Sequence, residues 1–199
     1  MISNRSIYAE TAGAVHQDRA RSLGDSPRLD RCQWSVLAHK LADLAEHLGQ
    51  LAMTLAYHPH MGTVVQSEQD IDRLMELVPD RVKLVLDTGH LAFAGCDPAH
   101  IAIRHADRIA HIHCKDVRRP VLRRARRRGW SFYHSIVAGV FAMPGDGDLD
   151  FVGILSQLPR YRGWLIAEAE QNPDRSDPDA CSARGWRHLS GIARASGGI

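Results

Sequence analysis

A chain of 199 residues, 44% apolar and 24% charged, can bury one sizeable core and reads as a single soluble domain over 1–199. A formal net charge of +2 is too small to imply a polyanionic partner for the whole surface, and four scattered cysteines with no C-x-x-C pair suggest neither a structural zinc site nor a disulfide framework. No apolar run approaches the roughly 18 residues of a membrane span, and the start at Met1 lacks the apolar stretch of a secretory signal, so a cytoplasmic protein without a membrane partner is expected.

Along the chain, Trp34, Leu37, Leu41, Leu44 and Leu48 recur at helical spacing and predict an amphipathic helix between Gln33 and Leu48. Met53-Thr54-Leu55-Ala56-Tyr57 has the length and apolar character of a strand, and His58 to Thr63 is a polar turn. Ser67 with Asp70 has the form of a capping box, and Ile71, Leu74, Met75 and Val78 continue it as a helix that stops at Pro79. A strand over Val82–Leu86 follows, then a helix opened by Asp97 as cap and Pro98 as first residue, then a strand over Ile109–His113. Helices around Val121–Arg128 and Asp150–Leu158, a strand over Trp164–Glu168 and a last helix from about Pro178 complete the series.

Strands alternating with helices mean a parallel sheet with right-handed crossovers, open or closed into a barrel. The position of the ionisable residues decides between them. Glu10, His58, Asp87, His113 and Glu168 all fall at or just past expected strand ends, and in a (β/α)8 barrel those ends converge on one face.

Divalent metals need carboxylate oxygens and imidazole nitrogens with positions left open for substrate, and Asp87, His113 and Glu168 supply that set. The short interval from Asp87 to His113 suits one strand-to-strand step, and the longer one to Glu168 suits a step plus an insertion. Each residue alone has an ordinary explanation, since a strand-end Asp is more often a helix cap and a strand His a satisfied core residue. Gathering so many ionisable groups without compensation would cost several kcal/mol, which favours the joint reading. His60, His90, Lys115, Asp116, Glu10 and Glu170 stand nearby. Lys115 lies two residues beyond His113 and is expected on the same strand face, free to hold a substrate oxygen unless it is spent on a salt bridge with Asp116. Glu170 bears the same relation to Glu168, so either could be the ligand, with Glu168 preferred as nearer the strand.

Five segments carry a resemblance: His58-Pro59-His60-Met61-Gly62-Thr63-Val64-Val65-Gln66, Asp87-Thr88-Gly89-His90, His111-Ile112-His113-Cys114-Lys115-Asp116-Val117, Pro144-Gly145-Asp146-Gly147, and Gly163-Trp164-Leu165-Ile166-Ala167-Glu168-Ala169-Glu170-Gln171. In this order they resemble the inosose dehydratases, members of the xylose-isomerase-like TIM-barrel superfamily, from about Ile7 to the carboxy end. The resemblance implies dehydration of 2-keto-myo-inositol to a trihydroxycyclohexane dione with Mn2+ or Co2+ as cofactor and a small polyol ketone as the partner. By motif Asp87, His113 and Glu168 match three of the superfamily's metal ligands, and His58 stands where the first, a Glu, is usual. His58 then serves as a nitrogen ligand or leaves its place to water. By the same matching His60, His90 and Lys115 take catalytic positions, with His60 as base for the α-proton, Lys115 steadying the developing oxyanion, and His90 or Glu10 as the acid.

A full barrel takes about 250 residues. The resemblance therefore implies strands four to eight of a partial (β/α)8 barrel, whose open edges invite self-association as a homo-oligomer and put activity at risk. Two rival functions use the same features. An isomerase or epimerase would share scaffold and metal. A nucleic-acid binder would use the arginines of 118–128, for which a solvated helix face is the ordinary explanation.

Overall fold

The computed structural model describes residues 27–172 and 176–195. In chain order these form α1 (Arg31–Gln50), β1 (Leu55–Tyr57), α2 (Glu68–Leu77), β2 (Val82–Asp87), α3 (Thr88–Ala94), α4 (Pro98–Arg104), β3 (Ile109–Val117), α5 (Arg119–Arg128), α6 (Phe132–Val137), β4 (Phe141–Ala142), α7 (Phe151–Ser156), β5 (Leu165–Glu168) and α8 (Pro178–Ala195). The expected strand around Ile7–Glu10, and Glu10 with it, lies outside the described residues.

Local chemistry sets most boundaries. In α1 the Asp30 side chain accepts from Gln33 N at 2.8 Å while the Gln33 amide accepts from Asp30 N at 2.9 Å, which closes a capping box ahead of the apolar face. Ser67 and Asp70 do the same for α2, with bonds of 3.2 and 3.0 Å, as the sequence predicts. Asp97 caps α4 through Ala99 N, with Pro98 inside the first turn. Two short helices, α3 and α6, have no apolar period long enough to announce them; α3 follows the last residue of β2 without a loop.

β1, β2, β3 and β5 form one parallel sheet in the spatial order β1-β2-β3-β5. The two-residue β4 adds an antiparallel pairing to the end of β3, Asp116 opposite Ala142 and Val117 opposite Phe141. That pairing corrects one expectation: β3 runs on to Val117, so His113 lies inside the strand and not at its end. Period-two alternation divides the sheet. Leu84, Leu86, Ile112 and Cys114 join Leu37, Leu41, Ile71, Leu74 and Ile101 of the helices in the main core. Asp87, His113 and Lys115, out of step with them, point to the opposite face. Register then matters, because Asp87 sits opposite His113, and Lys115 opposite Glu168.

The long step from His113 to Glu168 is an insertion of α5, α6 and β4, yet β5 still pairs directly with β3. A buried carboxylate ties this insertion down. Asp116, 0% exposed, accepts from Val117 N and Leu149 N on one oxygen and from Gly145 N and Gly147 N on the other, at 2.8–3.0 Å. Gly147 is needed there, since a Cβ would collide with Asp116 Oδ1. Among the described residues no helix is long and apolar enough to cross a membrane.

Candidate functional site

Asp87 works with both oxygens. Its Oδ1 caps α3, accepting from His90 N at 2.9 Å, and so performs the ordinary duty of a strand-end Asp. Its Oδ2 faces three nitrogens: His58 Nε2 at 3.3 Å, His113 Nδ1 at 3.6 Å and Lys115 Nζ at 3.6 Å. Burial alone would raise this carboxyl. The His90 imidazole, the Lys115 ammonium and the His113 and His58 contacts outweigh it and hold Asp87 well below the usual carboxylate range.

Glu168 divides its oxygens in the same way, Oε2 lying 2.8 Å from His113 Nδ1 and Oε1 2.8 Å from Lys115 Nζ. Although burial opposes ionisation, His113 and Lys115 bring its carboxyl down to about 2. Burial would lower His113, but the Asp87 and Glu168 carboxylates raise it to about 9. Both nitrogens of His113 are buried and neither has an aligned hydrogen-bond partner. Donor atoms of Asp87, His113 and Glu168 lie within 4.8 Å of one another, and two carboxylates converging on one buried imidazole form a donor set that suits a divalent ion. His58 joins this set through Asp87, with its ring 5.0 Å from that of His113.

Lys115 explains the Asp-Thr-Gly-His run. Its side chain is fully buried, and Nζ is 2.8 Å from Glu168 Oε1, 3.0 Å from Glu170 Oε1 and 3.0 Å from His90 Nε2. An ammonium has three hydrogens, and these acceptors take all of them. Thr88 clamps the backbone of Lys115, its hydroxyl accepting from Lys115 N at 3.0 Å and donating to Lys115 O at 2.7 Å. Gly89 leaves room for the stem, where a Cβ would stand 2.5 Å from Lys115 Cγ and 2.7 Å from its Cβ and Cδ. The salt bridge with Asp116 does not form, because Asp116 points to the other face and spends its oxygens on the insertion. Nor is Lys115 free to hold a substrate oxygen while its three acceptors stay in place.

His90 accepts from Lys115 on Nε2, which leaves its hydrogen on Nδ1, a buried atom with no partner among the described residues. His60 is fixed the other way: Nδ1 donates to Met61 O at 2.8 Å, so Nε2 carries the lone pair. Burial first, then the neighbouring His90 imidazole, lowers the basicity of His60. His60 is accordingly neutral near neutral pH. The two rings lie 3.7 Å apart, with Phe132 at 5.8 and 5.9 Å from them and Phe141 at 5.6 Å from His90, so aromatic edges wall this side of the site. Glu170 belongs to this half, grouped with His60 and His90, while Glu168 belongs with Asp87 and His113. Burial would raise Glu170, but His90 and Lys115 bring it down to about 2.

Sequence reasoning missed Thr88 and Gly89 as parts of the site and the aromatic wall of Phe132 and Phe141. Only the first two left a signal, in the compactness of the run that holds them. Among the arginines of 118–128, Arg118 and Arg126 donate to backbone carbonyls of Gly139 and Phe141, and of Ala92 and Phe93.

Residues 9–189 match the model of the family described as xylose isomerase-like TIM barrel. The rhizopine catabolism protein MocC of Rhizobium meliloti is 43% identical over 193 residues, 96% of this chain and 59% of its own length. An inosose dehydratase of Geobacillus kaustophilus is 42% identical over 177 residues, 86% of this chain and 58% of its own. The chain thus spans less than two thirds of the length of these curated relatives. Among solved structures, that of the IOLI protein with a bound zinc atom superposes with a TM-score of 0.63 at 14% identity, covering 85% of this chain and 60% of the other, a likeness of fold.

Proposed function

Since the chain belongs to the xylose isomerase-like TIM barrel family, we propose that its protein removes water from a polyol ketone, 2-keto-myo-inositol, to give a trihydroxycyclohexane dione in inositol catabolism. The observation that carries this reading is the meeting of a metal-type donor set, Asp87, His113 and Glu168, with a pair of imidazoles whose tautomers are already assigned. Likeness to an inosose dehydratase over 86% of the chain supports the choice of substrate.

Asp87, His113 and Glu168 would hold a divalent ion, Mn2+ or Co2+, with His58 beside Asp87 as a further donor. When bound, such an ion supplies Lewis-acid polarisation of a ketone. His60 presents the Nε2 lone pair to the proton on the carbon next to that ketone and takes it. His90, whose Nδ1 hydrogen is unclaimed, or Glu10, gives a proton to the departing β-hydroxyl. One C–H and one C–O bond break, water leaves, and the resulting enol tautomerises to the dione. Lys115 steadies Glu168, Glu170 and His90 and sets a fixed positive charge beside the negative charge that develops. Phe132 and Phe141 keep water from the imidazole side.

The test is product analysis of 2-keto-myo-inositol treated with the purified protein and Mn2+ or Co2+. A dione lighter than the substrate by one water is the expected product, whereas a product of unchanged mass would replace dehydration by isomerisation or epimerisation. A second measurement isolates the base: in His60→Ala, deuterium exchange at the α-carbon is expected to fall by at least about 100-fold. Exchange at the parent rate would remove His60 from the scheme.

A further inference from the structure

Three overlapping sets of metal-type donors lie at this site among the described residues; the set of His58, Asp87 and His90 shares Asp87 with the one described above. Besides Asp87, His113 and Glu168, the side chains of His60, His90 and Glu170 bring donor atoms within 4.8 Å of one another. The Lys115 ammonium already stands against that second set, 3.0 Å from His90 Nε2 and 3.0 Å from Glu170 Oε1, with a third hydrogen on Glu168 Oε1 at 2.8 Å. We propose that Lys115 is the built-in occupant of a second cation position, formed by His60, His90 and Glu170, and that it restricts the centre to one divalent ion. This rests on the metal reading above and adds the part played by Lys115.

Charge supports the assignment. Asp87, Glu168 and Glu170 carry three negative charges when ionised and Lys115 one positive charge, and once His113 gives up its proton to act as a ligand the remainder of two is what a single divalent ion cancels. A second ion beside the ammonium would leave an excess of positive charge in a mostly buried space, which is unfavourable at these distances. Sequence and packing hold Lys115 to this duty: Thr88 fixes its backbone on both sides, and Gly89 gives up its side chain so that the stem can lie flat against α3. Removing the ammonium while keeping the stem would leave the three carboxylates and three imidazoles of the two sets with one cation too few.

The test uses Mn2+ alone as the probe, with equilibrium dialysis and metal analysis of the whole protein, and electron paramagnetic resonance to detect spin coupling between paired ions. The unaltered protein is expected to bind one ion, Lys115→Met two with a coupled spectrum, and Lys115→Met with Glu170→Gln one again. Glu170→Gln alone, which changes a partly buried side chain without altering its size, is expected to keep one ion. Two ions in the unaltered protein, one ion in a folded Lys115→Met protein, or loss of the ion in Glu170→Gln would each overturn the proposal; the last needs no folded Lys115 variant. Absence of any ion from the unaltered protein would strike the metal reading instead, and uptake by Lys115→Met would still decide what Lys115 occupies.

Discussion

Asp87→Asn is expected to keep the fold and lose the site. The asparagine carbonyl can still accept from His90 N, so the cap on α3 survives. Its amide, however, turns hydrogens toward His58 Nε2, His113 Nδ1 and Lys115 Nζ, where Oδ2 now stands at 3.3–3.6 Å. Divalent-ion affinity is expected to fall by more than the 10- to 100-fold that is about typical of losing a residue that merely orients a ligand. The specificity constant kcat/KM is expected to fall by about 100- to 1,000-fold or more, as when a preorganised electrostatic contact is removed. Calorimetric titration with Mn2+ and a dehydration assay check both, alongside circular dichroism to confirm folding. A variant that folds, binds Mn2+ and turns over normally would reduce Asp87 to a helix cap, the ordinary role of such a residue.

Gly89→Ala sets two known effects against each other. Within a helix, alanine is favoured over glycine by about 1 kcal/mol, so propensity alone predicts a more stable protein. Packing predicts the reverse, because the new methyl would stand 2.5 Å from Lys115 Cγ. A flexible stem could ordinarily swing away. Here Lys115 is held at the backbone by Thr88 and at Nζ by Glu168, Glu170 and His90, so relief requires breaking a buried ionic contact. Overpacking of this kind costs about 1–3 kcal/mol, occasionally more, and is expected to outweigh the propensity gain. Urea unfolding should show a lower midpoint with little change in slope. Equal or greater stability would mean that Lys115 yields easily, and would weaken every role assigned to it above.

Both effects pass through Lys115, the centre of the site's electrostatics. Breaking up a buried ionic network leaves charges uncompensated, which is far more costly than losing a surface pair. Glu168 serves the two halves at once, one oxygen on His113 and the other on Lys115, so the donor set and the ammonium are mechanically joined. A substrate that draws on Lys115 must therefore displace Glu168, Glu170 or His90.

The alternation of helix and strand periods, the capping pairs at Ser67–Asp70 and Asp97–Pro98, and the same-face relation of His113 and Lys115 were all readable from the chain, because each depends on neighbours a few residues apart. The grouping of Asp87, His113 and Glu168 was readable as a candidate, since a parallel sheet carries such residues of neighbouring strands to one side, although His113 proves to lie inside β3 and not at its end. Other features depended on contacts between distant segments. The reach of β3 to Val117 follows from its pairing with Phe141–Ala142, and the idle Asp116 bridge follows from four backbone N–H groups arriving from Val117 and the segment 145–149. The separation of Glu168 from Glu170, two residues apart and chemically alike, is of the same kind. Register places Glu168 opposite Lys115, beside His113, while Glu170 reaches the imidazole side, and no local pattern encodes which neighbours a strand end will meet. Low basicity at His60 likewise arises from burial and from the His90 ring, both properties of the assembled molecule.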